Sequence, residues 1–490
     1  GGDPDNFEYP RFNLDICFFR VYENGQPAKV KHYLKWSKAG PAENDLVFVS
    51  GHPGRTDRLR TVSELEFMRD SEYPRALERL KRLEVLLNAF GARSQENQRR
   101  ARADLRGVEN GRKVREGMLA GLLDPELMDR KRDAEQKLRS AVMANPALSD
   151  AQTAWDRIAQ AQKVYAEHAV NYDFLERGYG FNSSLFVYAR HLLRAAEERP
   201  KPNGERLEDY RASALPSLEL ELFADQPIYN DLETVKLADG LTYLTETLGY
   251  NHPLVQKLLA GKSPRERASE AVRETKVASP SVRRTLYQGG QESINQANDP
   301  MIEMARIVDQ DARAVRSIIE VQREVVRQAH ARIGKARYAL EGSSQYPDAT
   351  SSLRLSFGTV KGYEEEGRHV PFQTTYAGLY QRAQEQNQRP PFDLPQRWID
   401  RRKKLNLSTP FNFVCTADII GGNSGSPVVN RNGEFVGIVF DGNIQSLTAD
   451  FIYTEEQARA ISVHSSAIIE ALKNIYNARP LVNELLSAKN

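Results

Sequence analysis

The spacing of apolar residues changes period twice along the chain, and the changes divide it into three blocks. Up to about residue 60 the apolar residues come in short runs. Ile16-Cys17-Phe18-Phe19-Arg20-Val21-Tyr22 is rich in strand formers and predicts a strand turned by Glu23-Asn24-Gly25-Gln26. Asp45-Leu46-Val47-Phe48-Val49 predicts a second, closed by Gly51-His52-Pro53-Gly54. Thr61-Val62-Ser63-Glu64 then matches a capping box, and from Leu80, Leu83, Leu87 and Phe90 onward the period becomes the three-and-four step of a helix. Such stripes continue, with polar loops such as Pro200-Lys201-Pro202-Asn203-Gly204, to about residue 335. In the last of these helices Asp299 suits the N-cap, Pro300 the first helical position, and Met304, Val308, Val315 and Ile318 one face, with Gly334 as the stop. Heptads are not sustained, so this block predicts a helical bundle and not a coiled coil.

Beyond residue 340 the strand texture returns. Leu353 to Val360 alternates, Phe411 to Cys415 reads as a strand, and Val428-Val429 pairs with Phe435 to Phe440 across Asn432-Gly433, a strong hairpin signal. A helix carrying Ile468, Ile469, Leu472 and Ile475 follows. The order of blocks predicts an α+β multidomain chain: one β domain made of residues 1–62 and 338–490, interrupted by a helical domain at 63–337.

Composition narrows the function classes. The 490 residues exceed what one core supports, and 40% hydrophobic content suits folded domains. The 68 Lys and Arg against 66 Asp and Glu leave a formal charge of +2, so no global field points to a nucleic acid or a membrane partner. No run of about 18 apolar residues is present to span a bilayer as a helix. Cys17 and Cys415 have no zinc-ligand spacing and are expected as free, buried thiols; neither a metal nor a cofactor is expected. The first residues contain no initiator Met and already read as a functional loop, which predicts a natural N-terminus upstream of residue 1.

The candidate chemistry lies in Gly422-Asn423-Ser424-Gly425-Ser426-Pro427. A serine becomes a nucleophile when a turn exposes its hydroxyl, a base takes its proton and backbone amides face the oxyanion. Here the glycines let the backbone double back, so that the Gly422 and Ser424 amides can converge on one oxygen. The hairpin that follows fixes the turn, and Val439-Phe440-Asp441-Gly442-Asn443 falls where such a fold walls the pocket for the residue before the cleaved bond, P1.

Asp5-Asn6-Phe7-Glu8-Tyr9-Pro10-Arg11, Asp15, Phe19-Arg20-Val21-Tyr22, Gly51-His52-Pro53-Gly54-Arg55-Thr56, Gly358-Thr359-Val360-Lys361 and Gly421 to Pro427 together resemble the bacterial dipeptidyl-peptidase 7 and 11 family. The resemblance implies serine exopeptidases acting on peptide substrates, with a chymotrypsin-like double β-barrel, here with its first barrel incomplete, and an inserted helical lid. It implies Ser424 as nucleophile, the Gly422 and Ser424 amides as the oxyanion hole, and Asp15 as the aspartate that orients the base. Asn6 and Phe7 match an Asn-Trp pair that meets the substrate's free N-terminus, Phe keeping the aromatic wall without the indole N–H. Asp441 matches a carboxylate near the bound amine, and Asn110 a lid asparagine that also holds it. Gly442 stands where acid-specific members carry Arg, which implies an uncharged pocket and a hydrophobic P1 preference. A periplasmic or secreted setting and a homodimer are implied by analogy alone.

The family's histidine precedes its aspartate, and no His lies before Asp15. His52 is expected to be a turn residue and His464 a surface residue. The chain by itself is therefore expected to show little or no activity, with a non-catalytic peptide-binding homologue as the alternative.

Overall fold

The computed structural model describes residues 4–344 and 346–487. The chain divides into two compact units: residues 1–62, 109–134 and 341–490 form one, and residues 63–108 and 135–340 the other. The helical stretch 109–134, placed by its periodicity in the interrupting domain, clusters instead with the sheet-bearing unit. Gly117 and Gly121 explain how it gets there. A Cβ on Gly117 would lie 2.4 Å from the Leu447 side chain and one on Gly121 2.8 Å from Thr448, so the bare backbone permits a close approach that any larger residue would block.

The first unit is built on an eight-stranded sheet. Its path runs from Arg354–Thr359 through Leu46–Gly51, Pro427–Val429, Glu434–Gly442, Ala460–His464 and Pro410–Cys415 to Gln373–Thr375, with Lys35–Trp36 parallel to the start of Glu434–Gly442. The expected hairpin forms: Val428 faces Gly437 and Val429 faces Phe435 across a turn in which Gly433 takes φ +74°. Val47, Val49, Phe413, Val428, Val436 and Val439 pack as one buried cluster on this sheet. Between Val439 and Asp441 the register with Ala460–His464 shifts by one residue, a bulge at Phe440 that re-aims the following side chains.

Three expectations fail here. Ile16 to Val21 takes no regular structure, and Phe18, Phe19 and Val21 are exposed. A strand needs a partner to accept its ladder hydrogen bonds, and among the described residues only Tyr22–Glu23 finds one, in a hairpin with Gln26–Pro27. His464 is buried, not superficial: it closes the Ala460–His464 strand, caps the next helix through Nδ1 to the Ser466 amide at 3.1 Å, and is 1% exposed. Cys415 is buried as expected, whereas Cys17 is exposed; both are free.

The second unit is helical. Its largest core gathers Phe186, Leu192, Leu237, Leu258, Met304 and Val308 among others. Asp299 caps the long helix Pro300–Glu341, accepting from the Met301 amide at 2.9 Å. Ile319, rather than the half-exposed Ile318, continues the buried stripe. Gly334 does not end this helix: Ile333 and Ala336 are still buried along it, and the stop comes at Gly342, with φ +65°.

Candidate active site

A cavity of about 470 Å³ in the sheet-bearing unit is lined by Asn6, Phe7, Asn110, Ser424, Asp441 and Gly442, together with apolar and acidic neighbours and Arg55. Six residues singled out from the sequence, drawn from four separate stretches of chain, thus share one space.

Ser424 sits on a turn pinned from both sides. The Gly425 amide donates to Val439 O at 2.7 Å, the Val439 amide to Ser426 O at 3.0 Å, and the buried Asn423 side chain accepts from the Ile420 amide at 3.1 Å. Gly422 and Gly425 take φ +107° and +88°, conformations that cost an L-residue strain. A Cβ on Gly422 would also lie 2.4 Å from His52 O and 2.7 Å from the Gly54 amide nitrogen, so only glycine fits. The Ser424 side chain is exposed at the cavity, its Oγ 3.5 Å from Phe440 O. Among the described residues the Gly422 and Ser424 amides donate to no other group, which leaves two N–H donors two residues apart beside the Ser424 hydroxyl.

The other end of the cavity is polar. Asn6 Nδ2 donates to Asn110 Oδ1 at 2.5 Å, and the Phe7 amide to Asp441 Oδ2 at 3.1 Å. Phe7 takes φ +62°, an unusual conformation for a large aromatic residue, held by that bond to Asp441. Lys113 Nζ donates to Pro4 O at 2.6 Å and Asn6 O at 3.2 Å, tying the loop to the 109–134 segment. Asp441 is buried and lies 3.0 Å from Arg11 Nη1; its other oxygen takes the Gly442 amide at 2.9 Å. Burial pushes its carboxyl above the ordinary range against the pull of Arg11 and the two amides. Arg11, itself 2% exposed, was quoted within a motif but given no role; a lone Arg after Tyr-Pro carries no sign that it will be buried.

Asp15 and Gly422 do not line this cavity. Asp15 is exposed on the extended segment after Asn13, whose amide is held 2.8 Å from Asn412 Oδ1. His52 is exposed, and none of the eight histidines lines the cavity. The residues that sequence reasoning missed are Asp57 and Asp450. Both line the cavity, brought there by the Asp57 amide donating to Asp450 O at 2.9 Å.

The cavity thus brings an exposed serine on a glycine-shaped turn together with amide and carboxylate side chains. The chain belongs to the Peptidase S46 family, whose model matches residues 1–487. The Asp/Glu-specific dipeptidyl-peptidase of Shewanella putrefaciens is 26% identical over 546 aligned positions, which take in 100% of this chain and 73% of that protein. Dipeptidyl-peptidase 7 of Capnocytophaga gingivalis is 26% identical, over 99% of this chain and 70% of its own length. Among solved structures, Porphyromonas endodontalis DPP11 in complex with the dipeptide Arg-Glu matches with a TM-score of 0.78 at 19% identity, covering 99% of this chain and 72% of that one. The last likeness bears on the fold, which is mixed helix and sheet in both.

Proposed function

We propose that the protein is a serine-type dipeptidyl-peptidase that releases dipeptides from peptide N-termini. The observation that carries this is the shared cavity: Asn6, Asn110 and Asp441 at one end and the Ser424 hydroxyl at the other. An ammonium group at the first end meets side-chain oxygens and a buried carboxylate, a charge-assisted arrangement that rewards a free N-terminus. Ser424 then attacks the second peptide bond, the Gly422 and Ser424 amides receive the oxyanion, and the acyl-enzyme is hydrolysed by water. The names of the relatives, dipeptidyl-peptidase 7 and Asp/Glu-specific dipeptidyl-peptidase, support the reaction, and the second states an acidic specificity. Ile419, Ile420, Val439 and Leu447 line the cavity, and Gly442 adds no charge, so Leu or Phe at P1 is preferred here to Asp or Glu.

The sheet is read, in this proposal, as the second barrel of a chymotrypsin-like pair, with the helical unit as an inserted domain. In the same reading Asp15 orients the histidine that serves as base, and the chain alone turns over little or no substrate. The periplasmic or secreted setting and the homodimer belong to the same proposal.

Titration of the chain with a free dipeptide and with its N-acetyl form tests the amine site without needing turnover. The free form is expected to bind at least about tenfold tighter, the worth of one charge-assisted contact; equal affinities would sink the reading. The absence of histidine from the cavity lining favours a second reading, a non-catalytic peptide-binding homologue, which predicts the same binding but no dipeptide release from the longest natural form of the protein.

A further inference from the structure

Beside Ser424 the cavity meets a carboxyl that has no part in the amine site. Asp450 ends the 3-10 turn Ile444–Asp450, whose three residues per turn set Leu447 and Asp450 on one side, and both line the cavity. Asp450 is 5% exposed, yet its carboxyl oxygens accept no hydrogen bond from any described residue. Its backbone is used, by the Asp57 amide, and the residue lines the cavity together with Ile419, Ile420, Gly421 and Val439 to Gly442.

Arg55, which also lines the cavity, Arg58 and Arg60 pull on its charge, but each is hydrogen-bonded to another carboxylate. From the loop after Leu46–Gly51, Arg55 and Arg60 turn to Asp57, at 3.1 and 2.7 Å, and Arg58 clasps Asp418 through both terminal nitrogens, at 2.7 and 2.8 Å. Thr56 and the Arg58 and Leu59 amides hold that loop on Asp348, so the guanidinium groups are set by a fixed backbone. From the strand, Asp441 is matched by Arg11. The 109–134 segment offers the cavity only Asn110, Val114 and Met118, all uncharged. Asp450 is thus the one lining carboxylate with no direct partner among the described residues.

We infer that Asp450 determines P1 specificity by selecting a side chain with an apolar stem and a cationic end, a lysine or an arginine. This rests on the dipeptidyl-peptidase reading, which puts the P1 side chain beside Gly442 and Leu447. The apolar wall takes the methylenes, and an ammonium or guanidinium group supplies the donor that the buried carboxyl lacks. A leucine leaves that carboxylate with only the more distant pull of Arg55, Arg58 and Arg60 and no direct donor, and an acidic side chain adds a like charge. Burial, with the Asp57 charge, pushes Asp450 up to about 7, so it is charged above that pH and neutral below it. Discrimination should therefore grow as pH rises through neutrality.

The test is titration calorimetry of the whole chain with Ala-Arg, Ala-Leu, Ala-Glu and N-acetyl-Ala-Leu at pH 5.5 and 8.0. Comparing ratios cancels the titration of the amine that the free dipeptides share. At pH 8.0 Ala-Arg is expected to bind about tenfold or more tighter than Ala-Leu, with Ala-Glu weakest, and the Arg/Leu ratio to fall to about two- or threefold at pH 5.5. Asp450→Asn, which costs no existing side-chain hydrogen bond, is expected to bring the ratio to within about twofold at both pH values. Amine-dependent binding of Ala-Leu with no advantage for Ala-Arg at pH 8.0, or an Arg/Leu ratio untouched by Asp450→Asn, overturns this inference alone. Equal binding of Ala-Leu and its acetylated form overturns the dipeptidyl-peptidase reading and this inference with it.

Discussion

Buried charge is handled in opposite ways by the two units. In the helical unit Arg194 spans Glu176, at 2.6 Å, and Asp309, at 2.6 Å; Arg313 reaches Glu198 at 2.6 Å and also pairs with Asp309, while Arg316 closes on Glu176 at 3.0 Å. Glu176, Glu198 and Asp309 each have at least one guanidinium. Burial raises Glu198, but hydrogen bonds from Lys201, Arg313 and the Leu207 amide overcome it and hold the group at about 2. In the sheet-bearing unit the balance runs the other way: burial wins at Asp441 and Asp450, and both carboxyls lie above their ordinary range. A satisfied network makes a stable scaffold; an under-satisfied carboxyl in a cavity is an affinity kept for something that enters.

The sharpest way to break this contrast is to orphan a charge in the helical network. Arg194→Met leaves Glu176 and Asp309 buried with fewer partners and is expected to cost about 3–5 kcal/mol of unfolding free energy, read by urea denaturation. A loss below 1 kcal/mol would mean that the network is not the scaffold described. Next comes Asp441→Asn, which keeps the shape of the amine site and removes its charge. Free dipeptides should bind about 10–100-fold more weakly by calorimetry, and N-acetyl dipeptides should not change.

The third prediction concerns pH. Because the folded-state pKa of Asp450 is raised, the native protein holds that proton more tightly than the unfolded chain, and stability from this group falls as pH climbs from about 4 toward 7. Asp450→Asn is therefore expected to stabilise by about 1–2 kcal/mol at pH 8 and by little at pH 4, measured as the difference in thermal unfolding. Glu198 has the opposite sign: its pKa is depressed, so its contribution is complete above about 4.5 and is lost as pH falls through about 2. The smallest effect is at Gly334, exposed inside the helix with open space where a Cβ would sit; Gly334→Ala should add about 0.5–1 kcal/mol.

That last substitution also marks where sequence reading reaches its limit. Local chemistry was legible: the Asn432-Gly433 hairpin, the Asp299 cap and the glycine-framed Ser424 turn are each fixed by residues within a few positions of one another. Helix continuation past Gly334 was not, because a mid-chain glycine is decided by whether Ile333 and Ala336 find a core to enter. Ile16 to Val21 has the composition of a strand and lacks the partner that would make it one. Within the site, Asn6, Phe7, Asn110 and Asp441 were placed by resemblance, and their meeting spans separations of 104 and 434 residues that no local pattern encodes. Asp450 left no trace in the sequence, since its significance arises only when a 3-10 turn folds back onto the loop that carries Asp57.

The central claim is that one cavity holds a free amine at the Asn6, Asn110 and Asp441 end with the second residue's carbonyl at Ser424. A crystal structure of the chain soaked with a free dipeptide tests it most directly. The account predicts the α-ammonium nitrogen within hydrogen-bond distance of those three side chains and the C-terminal carboxylate beside Ser424 Oγ and the Gly422 amide. A dipeptide lying in the reverse direction, or bound anywhere outside this cavity, would contradict it.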